Sequence, residues 1–125
     1  MQKKSDAGVF KISSPALTMA DLIHYQTKLG GLNRMLAILE ELTEELTNND
    51  ITELLTWYPH KSTIQRFGFL LEELQANENL TTQIKEHLKQ SKFFPVLLSP
   101  KSRQKPGAVD NAWKVDVNIK LESDL

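Results

Sequence analysis

Leu32-Asn33-Arg34-Met35-Leu36-Ala37-Ile38-Leu39-Glu40-Glu41-Leu42-Thr43-Glu44-Glu45-Leu46 is the stretch on which the fold of this chain turns. Leu32, Met35, Leu36, Leu39, Leu42 and Leu46 recur at three- and four-residue steps, which places them on one face of an α-helix with the glutamates on the other. A helix with one apolar stripe must bury it against further elements, so the flanking segments decide the fold class.

Upstream, Leu29-Gly30-Gly31 breaks the chain. Before it, Ser14-Pro15 sets an N-cap residue ahead of a proline that loses no hydrogen bond at the first helical position, predicting a helix of about eleven residues that ends near Tyr25. Downstream, the helix runs out at Asn48-Asn49. Asp50 and Glu53 are spaced as a capping box for a short helix carrying Ile51, Leu54, Leu55 and Tyr58, which Pro59 ends. Ser62 and Gln65 repeat the capping arrangement for a fourth helix to Gln75, with Phe67, Leu70, Leu71 and Leu74 as its stripe. Leu80, Ile84 and Leu88 mark a fifth.

From Phe93 the period changes. Phe93-Phe94-Pro95-Val96-Leu97-Leu98 reads as a buried strand beginning after the proline. Residues 99–111, SPKSRQKPGAVDN, read as a loop. Trp113, Val115, Val117, Ile119 and Leu121 then alternate with Lys114, Asp116, Asn118 and Lys120, as in a strand with one apolar and one wet face. The expected class is α+β: five helices packed with a small sheet formed by the C-terminal strands and, if Val9 to Ile12 pairs with them, an N-terminal strand.

At 125 residues, 40% hydrophobic and 25% charged, the chain has the size and composition of one globular domain. No apolar run approaches the roughly 20 residues of a spanning helix, so a soluble, cytoplasmic protein without membrane contact is expected. The absence of cysteine removes disulfides, thiolate catalysis and the common zinc sites together. The net charge of -1 conceals a division. Glu40, Glu41, Glu44, Glu45, Asp50 and Glu53 crowd one stretch, whereas Lys85, Lys89, Lys92, Lys101, Arg103, Lys105, Lys114 and Lys120 dominate the end of the chain. Such a split can steer a charged partner, although two solvated faces would read the same way.

Catalytic signatures are missing. His24, His60 and His87 are far apart and none has a second ligand type at helical metal spacing. No Gly-x-Ser-x-Gly turn is present, and Gly30-Gly31 lacks the rest of a phosphate-binding loop. No catalytic residue, metal or cofactor is therefore expected. Asp21, set among core-facing residues, needs a cation or several N–H donors, and Arg66 is its candidate structural partner, with Arg34 also available. Gly68, inside the fourth helix at a cost of about 1 kcal/mol relative to alanine, implies the close approach of another element. Lys101, Arg103, Lys105 and Lys114 form the candidate interaction surface, for RNA phosphates, DNA or an acidic protein.

Four segments together resemble the AbiEi family of antitoxins from type IV toxin–antitoxin (abortive infection) systems. Ser14-Pro15-Ala16-Leu17-Thr18-Met19-Ala20-Asp21-Leu22 is similar to the family's Ser/Thr-Pro-x-Leu-Thr-x-x-Asp-Leu stretch. Gln65-Arg66-Phe67-Gly68-Phe69-Leu70-Leu71-Glu72 is similar to its Gln-Arg-x-Gly-Tyr-Leu-Leu helix, with Phe69 for the tyrosine. Gly30-Gly31-Leu32-Asn33-Arg34, and Trp113 followed by Asn118, complete the set.

The resemblance implies a lead or linker over residues 1–8, without structure of its own, and a C-terminal antitoxin domain over residues 9–125. The winged helix-turn-helix that represses the operon in full-length members is not matched here, and operator DNA would be met only through it. Members counteract a nucleotidyltransferase-like toxin in bacterial phage defence, so the implied partner is the cognate toxin or the toxin's RNA substrate. The toxin's own Gly-Ser and Asp-x-Asp pattern does not occur, which places the chain on the antitoxin side. A non-catalytic antitoxin domain of a transcriptional regulator is thus expected, the alternative being a dimerisation or protein-docking module of such a regulator.

Because Leu39 sits mid-stripe, Leu39→Ala is expected to lower unfolding free energy by roughly 2–5 kcal/mol. Chemical denaturation measures this, and a change under about 1 kcal/mol would take the stripe out of the core.

Overall fold

The computed structural model describes residues 14–90, 92–100, 111–119 and 121. The expected strand at residues 9–12, the lead at 1–8 and the basic loop residues Lys101, Arg103 and Lys105 lie outside them. Among the described residues, five helices are followed by two short strands, the α+β arrangement expected.

Helix α1, Pro15–His24, begins as its sequence predicts: Ser14 Oγ accepts the Leu17 amide at 3.2 Å, and Pro15 occupies the first turn. Gly30 and Gly31 take φ of +96° and +97°, a region that side chains rarely enter, and turn the chain into α2, Leu32–Glu45. Leu32, Met35, Leu36 and Leu39 of α2 are buried. Helix α3, Asn48–Trp57, does start with a capping box, but on Thr47 and Asp50 rather than on Asp50 and Glu53. Thr47 has the extended backbone of an N-cap; its hydroxyl accepts the Asp50 amide at 3.1 Å, and the Asp50 carboxylate accepts the Thr47 amide at 3.3 Å. Helix α4, Lys61–Glu73, has no side-chain cap. Ser62 already lies within it, and Gln65 is turned into the core, so the expected second capping box does not form. Helix α5, Glu78–Leu88, is capped by Asn77.

These helices share one core. Helix α1 packs on α2, α3 and α4, while α5 closes over α3 and α4. Met19, Ile23, Leu39, Ile51, Phe67, Leu70 and Leu71 are fully buried where the stripes meet.

Strand β1, Val96–Leu97, pairs in parallel with β2, Val115–Asp116, with Val96 opposite Val115, and both lie on α4. The long alternating strand expected from Trp113 to Leu121 is not formed, and its supposed wet face is corrected as well: Asp116 and Asn118 are buried. After Asp116 the chain bends, with the Asn118 amide returning to the Asp116 carbonyl at 2.9 Å. The Asn118 carboxamide then reaches across to Ser99, accepting its amide at 2.9 Å and donating to its carbonyl at 3.0 Å. The Leu98 carbonyl, which a longer ladder would pair with the neighbouring strand, instead accepts from Gln26 Nε2 at 3.2 Å. Side-chain amides thus end the sheet after two residues.

Candidate interaction surface and its anchoring

One side of α4 faces the C-terminal segment. Gln65, Gly68 and Glu72 stand three and four residues apart, on one side of the helix. Gln65 is buried, and its carboxamide donates to the carbonyls of Phe94 at 2.8 Å and Trp113 at 2.9 Å. At Gly68 the Trp113 ring lies where a side chain would otherwise begin, which is the close approach its position implies. Glu72 Oε1 accepts from Trp113 Nε1 at 2.6 Å, and Lys85 from α5 stands 5.4 Å above the ring. Trp113 is wholly buried by these contacts.

Arg66 also serves this junction, donating Nε to the Leu97 carbonyl at 2.7 Å, while burial lowers its guanidinium below the ordinary value. Asp21 is exposed on α1, and among the described residues no ion pair joins it to Arg66. Its charge acts instead on the two aromatic groups beside it, His24 and Tyr58.

Those groups belong to a run of rings that sequence reasoning missed. His24 and His60 stack at 4.1 Å with their planes 14° apart. Tyr25 meets His24 edge-on at 4.7 Å, Tyr58 meets His60 edge-on at 5.6 Å, and Trp57 continues the series against Tyr58. The run lies where the end of α1 meets the end of α3 and the start of α4. It is tied inward by His24 Nδ1 to Thr63 Oγ1 at 3.1 Å and by the Tyr58 hydroxyl to the Ala20 carbonyl at 3.5 Å. Burial pushes the Tyr58 phenol up to about 12, with the nearby Asp21 carboxylate adding to it and a hydrogen bond with Thr63 opposing. His24 is lowered, first by burial and then by repulsion from His60 and Arg66, with Asp21 opposing. Among the described residues, no three His, Asp or Glu side chains converge as a metal site would require. The histidines are 36 positions apart, and no local spacing signals their contact.

Of the candidate surface residues, Lys114 is the one the structure describes. Its φ of +54° is unusual for a residue with a side chain. Asn111 holds that turn: its Oδ1 accepts the amides of Trp113 at 3.0 Å and Val115 at 3.1 Å, and its Nδ2 donates to the Val115 carbonyl at 2.8 Å. Lys114 therefore projects outward, with Nζ 3.1 Å from the Phe93 carbonyl and 4.8 Å from the Phe93 ring.

The fold and this anchoring define a small α+β domain whose motif helix holds its own C-terminal segment in place. The family model of the AbiEi antitoxin C-terminal domain matches residues 2–73, more than half of the 125, and the chain belongs to that family. The match ends with the last residue of α4, so Trp113 and Asn118 lie beyond it. No curated protein and no solved structure matches the chain. Among the described residues, no helix is long and apolar enough to cross a membrane.

Two outcomes follow from the geometry. Gly68→Ala gains about 1 kcal/mol of helix propensity but forces a methyl group into Trp113, where overpacking costs about 1–3 kcal/mol. The ring is fixed by Glu72 and by the carbonyl bond to Gln65, so the clash is expected to win. Denaturant unfolding checks this, and a more stable variant would refute the contact. For His24, the folded group binds its proton less readily than the unfolded one, which titrates near 6.5. Stability should accordingly fall as pH drops below about 6.5 and level off once the folded imidazole is also protonated. Melting temperature against pH reads this slope, which His24→Gln should flatten.

Proposed function

We propose that this domain is the effector half of a toxin–antitoxin transcriptional regulator and neutralises a nucleotidyltransferase-like toxin in the bacterial cytoplasm, as part of phage defence. The observation that carries this reading is membership of the AbiEi antitoxin C-terminal domain family. The use of the motif helix supports recognition rather than catalysis: Gln65, Arg66 and Glu72 make internal contacts, and Gly68 makes room for Trp113. Operator DNA is the business of a winged helix-turn-helix joined to such domains, and residues 9–125 are the antitoxin unit. The domain acts through its surface, with Lys101, Arg103, Lys105 and Lys114 as the basic contact residues.

Co-expression with the cognate toxin tests the proposal. Growth is expected to recover with this chain alone or with the chain fused to its repressor region, and failure of both rejects it. Reversing the charges of Lys101, Arg103 and Lys105 is expected to weaken protection; undiminished protection would remove that loop from the mechanism.

A further inference from the structure

We propose that the run of rings from Tyr25 to Trp57 docks an arginine-bearing segment of a protein partner, the guanidinium groups lying on the two end rings and pairing with Asp21 and Glu53. The middle of the run is tied inward by His24 and Tyr58, but its ends are open: Tyr25 is 48% and Trp57 53% exposed. Each end ring has an exposed carboxylate four residues earlier, Asp21 before Tyr25 and Glu53 before Trp57. Trp57 is the last residue of α3, and Tyr25 closes α1 with its amide on the Asp21 carbonyl, so helical spacing holds at both ends. Residues at that spacing are neighbours on one helix face. Helices α1 and α3 pack on each other and the ring contacts run unbroken between them, which puts both ring–carboxylate pairs on one surface. The Asp21 charge is felt on both sides of it, by His24 and by Tyr58. Among the described residues, neither carboxylate enters an ion pair.

Ring and carboxylate together select the occupant. Nucleic-acid bases could stack on the same rings, but a carboxylate beside each ring repels the phosphates. An apolar side chain would cover the carboxylates without pairing them, at a cost in desolvation. A guanidinium satisfies both groups, because it lies flat on an aromatic face while its fork meets a carboxylate through two hydrogen bonds. The chain itself shows that this face accepts a cation: Lys28 Nζ stands 5.7 Å over the Tyr25 ring. Tryptophan and tyrosine are also the side chains that most often anchor protein interfaces. Glu40, Glu41, Glu44 and Glu45 lie exposed on α2, which packs beside α1, and their field draws a basic segment towards this side. Arg66, whose charge reaches His24 and opposes that field, is half-buried with its Nε bonded to the Leu97 carbonyl. The inference does not use the basic residues assigned to neutralisation, and its test needs no toxin.

The probe is a labelled synthetic peptide of alternating arginine and glycine, about eight residues long so that it reaches roughly 27 Å when extended. Fluorescence anisotropy with the purified 125-residue chain reads its binding, and acrylamide quenching reports whether Trp57 is covered, since Trp113 is already buried. The arginine peptide is expected to bind more tightly than its lysine counterpart and to shield Trp57. Tyr25→Ala and Trp57→Ala should each weaken binding by about two- to fivefold, the loss of one exposed cation–ring contact, and Trp57→Phe should recover part of it. Asp21→Asn and Glu53→Gln should each weaken it as well, whereas neutralising Glu40 and Glu44 together, on a helix without rings, should change it little. Unchanged melting temperatures confirm folding; if an alanine variant fails this check, Asp21→Asn and Glu53→Gln, which remove no ring, decide. No binding, equal binding of the arginine and lysine peptides, or an equal loss on neutralising Glu40 and Glu44 would each overturn the proposal. So would tighter binding of a single-stranded oligouridylate to these rings, which would make the occupant a nucleic acid. An oligomer that light scattering shows to dissociate on Trp57→Ala would overturn it too, the occupant then being a second copy of this chain.

Discussion

The hydrogen bonds from the buried Gln65 carboxamide to the carbonyls of Phe94 and Trp113 are the constraint on which the rest of this structure depends. Each partner needs the other. A carboxamide enclosed by α4 and the C-terminal segment would cost about 1–3 kcal/mol if its donors were left open, and the two carbonyls belong to backbone that has no ladder to satisfy it. Joining them fixes the height and rotation of α4 against residues distant in sequence. Gly68 and Glu72, further along the same side, then meet the Trp113 ring and its indole N–H.

This arrangement stands in for a sheet. Two paired residues per strand are too few to be stable alone, and the chain has no cysteine with which to staple them. Four side-chain amides supply the missing partners. Gln65 takes two carbonyls before and within the segment, Gln26 takes the Leu98 carbonyl, Asn111 encircles the turn at Lys114, and Asn118 clamps both backbone groups of Ser99. An amide can serve because it carries donor and acceptor on one planar group, as the peptide itself does.

The same fact explains which parts of the molecule were legible in its sequence. Helices announced themselves because their stripes are local: Leu32 to Leu39 needs only a period, and Ser14-Pro15 only a dipeptide. Gly68 was legible as a cost requiring a reason, though not as a seat for Trp113. The strand reading failed at Asp116 and Asn118 because alternation assumes that polar side chains seek water, whereas Asn118 is buried by bonding to Ser99. The capping boxes were misplaced for a related reason, since Thr47, Asp50 and Glu53 offer overlapping pairs and only the backbone chooses between them. At Ser62 and Gln65 the tertiary contact of Gln65 decided the outcome. The contact between His24 and His60 had no signal at all, because it is made by the meeting of helix ends.

A segment held by side chains differs from one held by a ladder in what it can present. In a sheet, neighbouring strands satisfy the backbone; here side chains do, Lys61 and Gln65 from α4 and Lys114 from the turn before β2. Two of those donors are lysines, so the groups that shape residues 92–94 also charge the surface around them. Lys61 comes from the first turn of α4, inside the family-matched region, whereas Lys114 comes from the turn before β2, beyond it. A surface made jointly by the two can exist only when α4 has docked the C-terminal segment, which returns its formation to the buried amide of Gln65.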